Sequence, residues 1–181
     1  MIVKVIPFVH NKLKEIITTD DYVIDATCGN GYDTLFLARK ARKVYAFDIQ
    51  EIAIEKTRKR MERNKIYNVE IIQDGHENLD KYVQEDVKAA LFNLGHLPGS
   101  DKRVVTHSPS TIEAVKKVQE RLVPGGVIAL VVYVGKYSEQ EESDNLLSYV
   151  RELDFDDYHV VQYKYYNKSE APYVILIEKQ V

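Results

Sequence analysis

Residues 25–34 read DATCGNGYDT, with the apolar run YVI before them and LFLA after. Apolar runs joined through a glycine turn fit few arrangements: a strand ends, the backbone crosses over tightly, and a helix begins. Such a crossover aims backbone N–H groups and a helix N-terminus at an anionic or nucleotide ligand. The dinucleotide fingerprint G-x-G-x-x-G requires glycine at its sixth position; counting from Gly29 through Gly31, that position is Thr34. The crossover therefore departs from the NAD pattern, and its ligand has to be read from the residues around it.

The same alternation runs through the rest of the chain. YVIDAT (22–27), KVYAFDI (43–49), NVEIIQ (68–73), VKAALFNL (87–94) and VIALVVYV (127–134) are short and rich in branched or aromatic residues, which predicts strands of a parallel sheet covered on both faces. Between them, apolar residues three or four apart predict helices over 32–40, 50–64, 77–84, 109–122 and 139–153, after an N-terminal helix ending near Thr18. Ser108 suits the N-cap and Pro109 the first position of the fourth helix, and Pro124-Gly125-Gly126 turns the chain from it into the fifth strand. YHVVQYKYYN and APYVILIEK then predict an antiparallel hairpin. The expected fold class is α/β: a doubly wound, mostly parallel seven-stranded sheet with a C-terminal antiparallel hairpin, forming a single domain over residues 1–181.

Composition narrows the function classes. A single cysteine, Cys28, excludes an internal disulfide and, with no second cysteine or paired histidines nearby, argues against zinc and for a cytoplasmic location. No apolar run approaches the roughly 18 residues needed to span a membrane, and the N-terminus lacks the apolar core of a signal peptide. With a net charge of −3, any nucleic-acid footprint has to be local. KTRKRMERNK (56–65) is the one clear basic stretch, and it reads more simply as a solvated helix face.

Two acids bear on the ligand. Asp48 lies 19 positions after Gly29 at the end of the second strand, where a carboxylate accepts both hydroxyl protons of an adenosine ribose. That geometry serves NAD and S-adenosylmethionine alike. Asp25, four residues before Gly29, can accept from a methionyl ammonium or cap the amides of its own loop. The missing third glycine and the acid in the strand favour a cationic sulfonium over a pyrophosphate. An NAD-dependent oxidoreductase and a non-catalytic nucleotide-binding module remain the competing readings.

DATCGNGYDTLFLA, AFDIQ, QDGHENL, NLGHLPGSDK, HSPSTIEAVKKVQERLVPGGVIALVVY and NKSEAPYVILIEK together resemble the YtqB-like rRNA methylase family, across nearly the whole chain. The resemblance implies a Rossmann-like class I methyltransferase fold and S-adenosyl-L-methionine as cofactor. It also implies methylation of the aminomethyl nitrogen of a wobble 5-aminomethyl-2-thiouridine in tRNA, with small-molecule or rRNA methylation as the alternative. Carried onto this sequence, it assigns cofactor contacts to Gly29, Asn30 and Gly31, to Asp48 and Gln50, and to Gly75 and His76 beside the adenine. Cys28, Ile49, Asp25 and Asn93 complete the expected cofactor surface. One segment departs from the family: YVGKYSEQEES follows the fifth strand, with Val134 and Lys136 where a His-Gly-His-rich loop is expected.

Methyl transfer from a sulfonium is an in-line displacement, so the protein chiefly has to hold the nucleophile in place. Asn93, Gly95 and His96 are the expected catalytic group, with loop carbonyls accepting from the amine. Leu97, Pro98, Gly99 and Asp101 shape the acceptor pocket, and Lys102 and Arg103 contact phosphates of a tRNA anticodon loop, a patch that a second subunit of a homodimer could complete. His107 flanks the same pocket. Tyr163, Tyr165 and Tyr166 can stack on bases or simply pack the terminal sheet.

Overall fold

The computed structural model describes residues 1–95, 108–134 and 140–181. Its strands are β1 (Tyr22–Asp25), β2 (Lys43–Asp48), β3 (Val69–Gln73), β4 (Val87–Leu94), β5 (Leu122–Val132), β6 (Tyr158–Tyr163) and β7 (Tyr173–Lys179). Its helices are α1 (Val5–Ile16), α2 (Tyr32–Ala38), α3 (Glu51–Arg63), α4 (Ser108–Arg121) and α5 (Gln140–Arg151), with a 3-10 helix over His76–Lys81. The seven strands form one sheet in the order β3-β2-β1-β4-β5-β7-β6. β1 to β5 run parallel, and β7 pairs antiparallel with both β5 and β6.

Period-two side-chain alternation divides the core between the two faces of the sheet. Ile24, Phe47, Ala90, Phe92, Ile128 and Leu130 point to the face covered by α4, α5 and the 3-10 helix. Val23, Val44, Ala46, Leu91, Ala129 and Val131 point to the face covered by α1, α2 and α3. Continuous apolar runs such as AALF in β4 are thus a requirement of a strand with a core on each side. Phe92 and Leu130 are fully enclosed, and burying side chains of this size stabilises the fold by roughly 1.5–3 kcal/mol each.

Two local expectations need correction. The helix expected over 77–84 is a 3-10 helix that ends at Lys81. Asp74 holds this segment by accepting from the Gly75 amide, the Asn78 amide group and the Tyr82 hydroxyl, while Leu79, Val83 and the Tyr82 ring anchor it to the core. Pro124-Gly125-Gly126 lies inside β5 and does not precede it. β4 pairs Val87 with Leu122 and then Ala89 with Val127, so the extra β5 residues form a bulge. Gly125 supplies the positive φ, 73°, that this bulge requires.

The chain leaves β1 toward β2 and β3 on one side, and returns through β4 and β5 on the other. Ligands of open α/β sheets bind at the carboxyl ends of the strands at such a reversal. Here the crevice opens between β1 and β4.

Candidate functional site at the carboxyl ends of β1 and β4

The floor of the crevice is the crossover from β1 to α2. Cys28 donates its N–H to the Phe47 carbonyl at 2.8 Å, and Gly31 donates to the Cys28 carbonyl at 2.7 Å, so the turn is pinned to β2 and closed on itself. Gly29 and Gly31 sit at φ 52° and 80°, a region that costs other residues roughly 1–2 kcal/mol. Space matters as well: a Cβ on Gly31 would lie 3.0 Å from the Thr57 Cα on α3. α3 braces the loop through two further contacts. The Thr57 hydroxyl donates to the Gly29 carbonyl at 3.2 Å, and Arg60 Nε donates to the Asn30 carbonyl at 2.8 Å. The Arg60 guanidinium also lies 3.5 Å from the centre of the exposed Tyr32 ring.

Three carboxylates surround this loop. Asp48 accepts from the Gly29 N–H at 3.1 Å and the Gln50 N–H at 3.0 Å, one on each oxygen. Burial raises its pKa, and each oxygen keeps a lone pair for a further donor. Asp25 is fully buried and accepts from the Thr34 hydroxyl at 2.6 Å and the Thr27 N–H at 3.2 Å. Burial, then the nearby charge of Asp33, pushes its pKa up to about 7. The residue at the sixth fingerprint position, Thr34, thus caps a buried acid. Cys28 is buried beside Asp25; desolvation first and that negative charge second push its thiol pKa far up, so it remains a thiol.

His76, nearly enclosed, has Nδ1 3.0 Å from the Ala26 carbonyl. A carbonyl only accepts, so Nδ1 carries the proton and Nε2 is left as an acceptor. Burial lowers the pKa of this ring, which stands edge-on to Phe92 at 5.3 Å.

The opposite wall, at the end of β4, is a side-chain network. The Asn93 backbone N–H donates to the Thr27 hydroxyl at 2.7 Å, and its Nδ2 donates to Asp33 Oδ2 at 3.2 Å. Asp33 Oδ1 is bound by His10 Nε2 from α1 at 2.7 Å, and the His10 ring stacks on Phe36 at 3.9 Å. The Tyr133 hydroxyl is hydrogen-bonded with the Asn93 side chain, and burial raises its pKa. The Tyr133 ring lies so close to Gly95 that a Cβ there would stand 3.1 Å from Cδ2.

The structure thus brings Asp25, Cys28, Gly29, Asn30, Gly31, Asp48, Gln50, His76 and Asn93 to one end of the sheet, with Gly75 buried before His76 and Ile49 exposed after Asp48. His96, Leu97, Pro98, Gly99, Asp101, Lys102, Arg103, His107 and Lys136 lie outside the described residues. Val134 packs against the core. Tyr163 stacks on Phe8 at 4.0 Å and donates its hydroxyl to the Val3 carbonyl, whereas Tyr166 is exposed. Sequence reasoning missed His10, Asp33, Thr57, Arg60 and Tyr133. The KTRKRMERNK stretch contained the signal for two of them: Thr57 is an uncharged position within a basic run, and Arg60 lies one helical turn beyond it.

Comparison with known proteins gives a consistent set of likenesses. A family profile described as "Putative rRNA methylase" matches residues 44–179. The chain is 34% identical over 190 aligned residues to the chloroplastic tRNA (mnm(5)s(2)U34)-methyltransferase of Arabidopsis thaliana, covering 94% of this chain and 68% of that protein. A "putative rRNA-methylase" from Clostridium thermocellum superposes with a TM-score of 0.95 at 37% identity, over 99% of both chains. A "putative methyltransferase" from Streptococcus mutans, in complex with S-adenosylhomocysteine, superposes with a TM-score of 0.94 at 43% identity, again over 99% of both.

Proposed function

Because the chain belongs to this rRNA methylase family and has the class I methyltransferase fold, we propose that it methylates the aminomethyl nitrogen of a wobble 5-aminomethyl-2-thiouridine in tRNA. It is an S-adenosylmethionine-dependent methyltransferase. The observation that carries the tRNA acceptor is the likeness, along 94% of the chain, to an enzyme named for that wobble nucleoside. The family description names rRNA instead, and an rRNA acceptor is the second reading.

The residues present fit the cofactor. Asn30 Oδ1 is buried without a hydrogen-bond partner in the protein, an acceptor open to a donor from a ligand. Asp48, half-buried at the end of β2, keeps acceptor capacity on both oxygens beside the two loop amides it binds, as a pair of vicinal hydroxyls needs. When bound, S-adenosylmethionine supplies an electrophilic methyl on a positively charged sulfur. Gly29, Asn30 and Gly31 would hold its amino-acid end, Asp48 its ribose hydroxyls, and Ile49, Gln50, Gly75 and His76 the adenine side. Asp33 fixes the Asn93 amide: the NH2 donates to Asp33 Oδ2, which turns Oδ1 the other way with capacity to accept from the incoming amine. Loop 95–102 would shape the acceptor pocket, with Lys102 and Arg103 gripping anticodon-loop phosphates.

Nucleoside mass spectrometry of RNA from a strain lacking the gene tests the acceptor. Loss of the methylaminomethyl nucleoside from tRNA, with accumulation of its aminomethyl precursor, is expected. Unchanged tRNA together with a missing rRNA methyl group would replace this reading with the second.

A further inference from the structure

The network at the end of β4 has a member that the cofactor does not account for. Asp33 lies one residue from the buried Asp25–Thr34 pair, yet its own carboxylate turns to the β4 side of the crevice, where Asn93 Nδ2 and His10 Nε2 each hold one oxygen. Its side chain keeps 12% exposure, and that of His10 keeps 26%. A carboxylate offers about four lone-pair sites, so two donors leave capacity for more. Asn93, Asp33 and Tyr133 form one connected group drawn from β4, α2 and the segment after β5, with His10 added from α1. Four separate elements therefore converge on a single anion beside the expected methyl acceptor.

We propose that Asp33 is the carboxylate that receives the acceptor's amino group, and that His10 is a positioning residue that fixes its orientation. This rests on the amine-acceptor reading given above. The chemistry favours an anion at this point. As the nitrogen lone pair forms the new N–C bond, the C–S bond breaks with its electron pair left on sulfur, which becomes a neutral thioether. The positive charge passes to nitrogen, and the secondary ammonium later releases one proton to water. A fixed carboxylate beside that nitrogen stabilises the charge as it develops, without reorganising at the moment of reaction. It also selects for an amine over carbon or oxygen acceptors, because the neutral amine brings N–H donors to the carboxylate and its nitrogen carries the full positive charge once the methyl is transferred. His10 contributes through geometry: its N–H holds Oδ1 while stacking on Phe36 fixes the ring.

Two measurements on Asp33→Asn decide the matter: calorimetric binding of S-adenosylmethionine in the absence of tRNA, and steady-state kinetics on tRNA carrying 5-aminomethyl-2-thiouridine. The probe ligand carries both the methionyl ammonium and the sulfonium and so reports any role of Asp33 toward the cofactor. The expected result is probe affinity within about threefold of wild type, which also certifies folding, and a loss in kcat/KM of about a hundredfold, the scale of removing one pre-set electrostatic contact. Asp33→Glu should recover part of the loss. His10→Ala should lower kcat about tenfold at unchanged KM, and His10→Gln, which restores an N–H donor, should regain most of it. Probe affinity falling in step with kcat/KM would assign Asp33 to the cofactor and overturn the proposal, as would an Asp33→Asn enzyme with full kcat/KM. A wild-type enzyme that leaves this tRNA unmethylated would instead overturn the acceptor reading itself, and the role of Asp33 with it.

Discussion

The two walls of the crevice are built on different plans. The β1–α2 wall is mostly backbone: two glycines at positive φ, amides pinned to Asp48 and to the Phe47 carbonyl, and bracing from α3. The β4 wall is mostly side chain, a network of His10, Asp33, Asn93 and Tyr133. A backbone cradle suits a ligand that stays the same, since changing its shape means changing glycines. A side-chain network can be altered one residue at a time, which suits an acceptor that varies between related enzymes.

This contrast can be broken from either side, most forcefully at Asp25. Its folded pKa, about 7, is raised above the ordinary 3.8 by burial, so the folded state holds a proton that the unfolded state has released in between. Stability from this group is complete below about pH 4 and lost as pH rises through 7, a slope amounting to a few kcal/mol. Asp25→Asn should remove that slope; denaturant titrations from pH 4 to 8 in which wild type and variant run parallel would refute the assignment.

Asp48→Ala comes next. The ribose hydroxyls assigned to this carboxylate lose a charged acceptor, a bond worth about 1.5–3 kcal/mol, and the Gly29 and Gln50 amides lose the one that orders the loop, so affinity for S-adenosylhomocysteine should fall on the order of a hundredfold. Isothermal calorimetry with less than a fivefold change would separate Asp48 from the cofactor. Gly31→Ala should cost about 2 kcal/mol of folding stability, since φ 80° and the Thr57 backbone both oppose a side chain; an unchanged thermal midpoint would contradict the close approach. The smallest effect belongs to Tyr163→Phe. Deleting its exposed bond to the Val3 carbonyl should cost under about 1 kcal/mol and leave methylation untouched, and a loss of tRNA affinity in that variant would show the hydroxyl to contact RNA.

The same contrast explains what was legible in the sequence. Gly29, Gly31 and Asp48 lie within twenty positions of one another, because a single β-α-β unit brings them together, and spacing along the chain therefore reports spacing in the fold. The pairing of β1 with β2 and of β6 with β7 follows from the same local units. His10 and Asp33 are 23 residues apart, and Asn93 and Asp33 are 60. They meet only because α1 packs over the sheet and β1 neighbours β4. No periodicity encodes such a meeting. Thr34 was visible as a departure from the glycine pattern, but its bond to Asp25 depends on a helix turn facing a buried strand residue. The 3-10 helix escaped for a similar reason: Asp74 organises it through side-chain bonds that propensity does not register.

The most direct test incubates the purified protein and S-adenosylmethionine carrying an isotopically labelled methyl group with tRNA bearing 5-aminomethyl-2-thiouridine, followed by nucleoside mass spectrometry. The expected result is label on the aminomethyl nitrogen of the wobble nucleoside alone. Label confined to another nucleoside, or none transferred to tRNA while rRNA accepts it, would contradict the account.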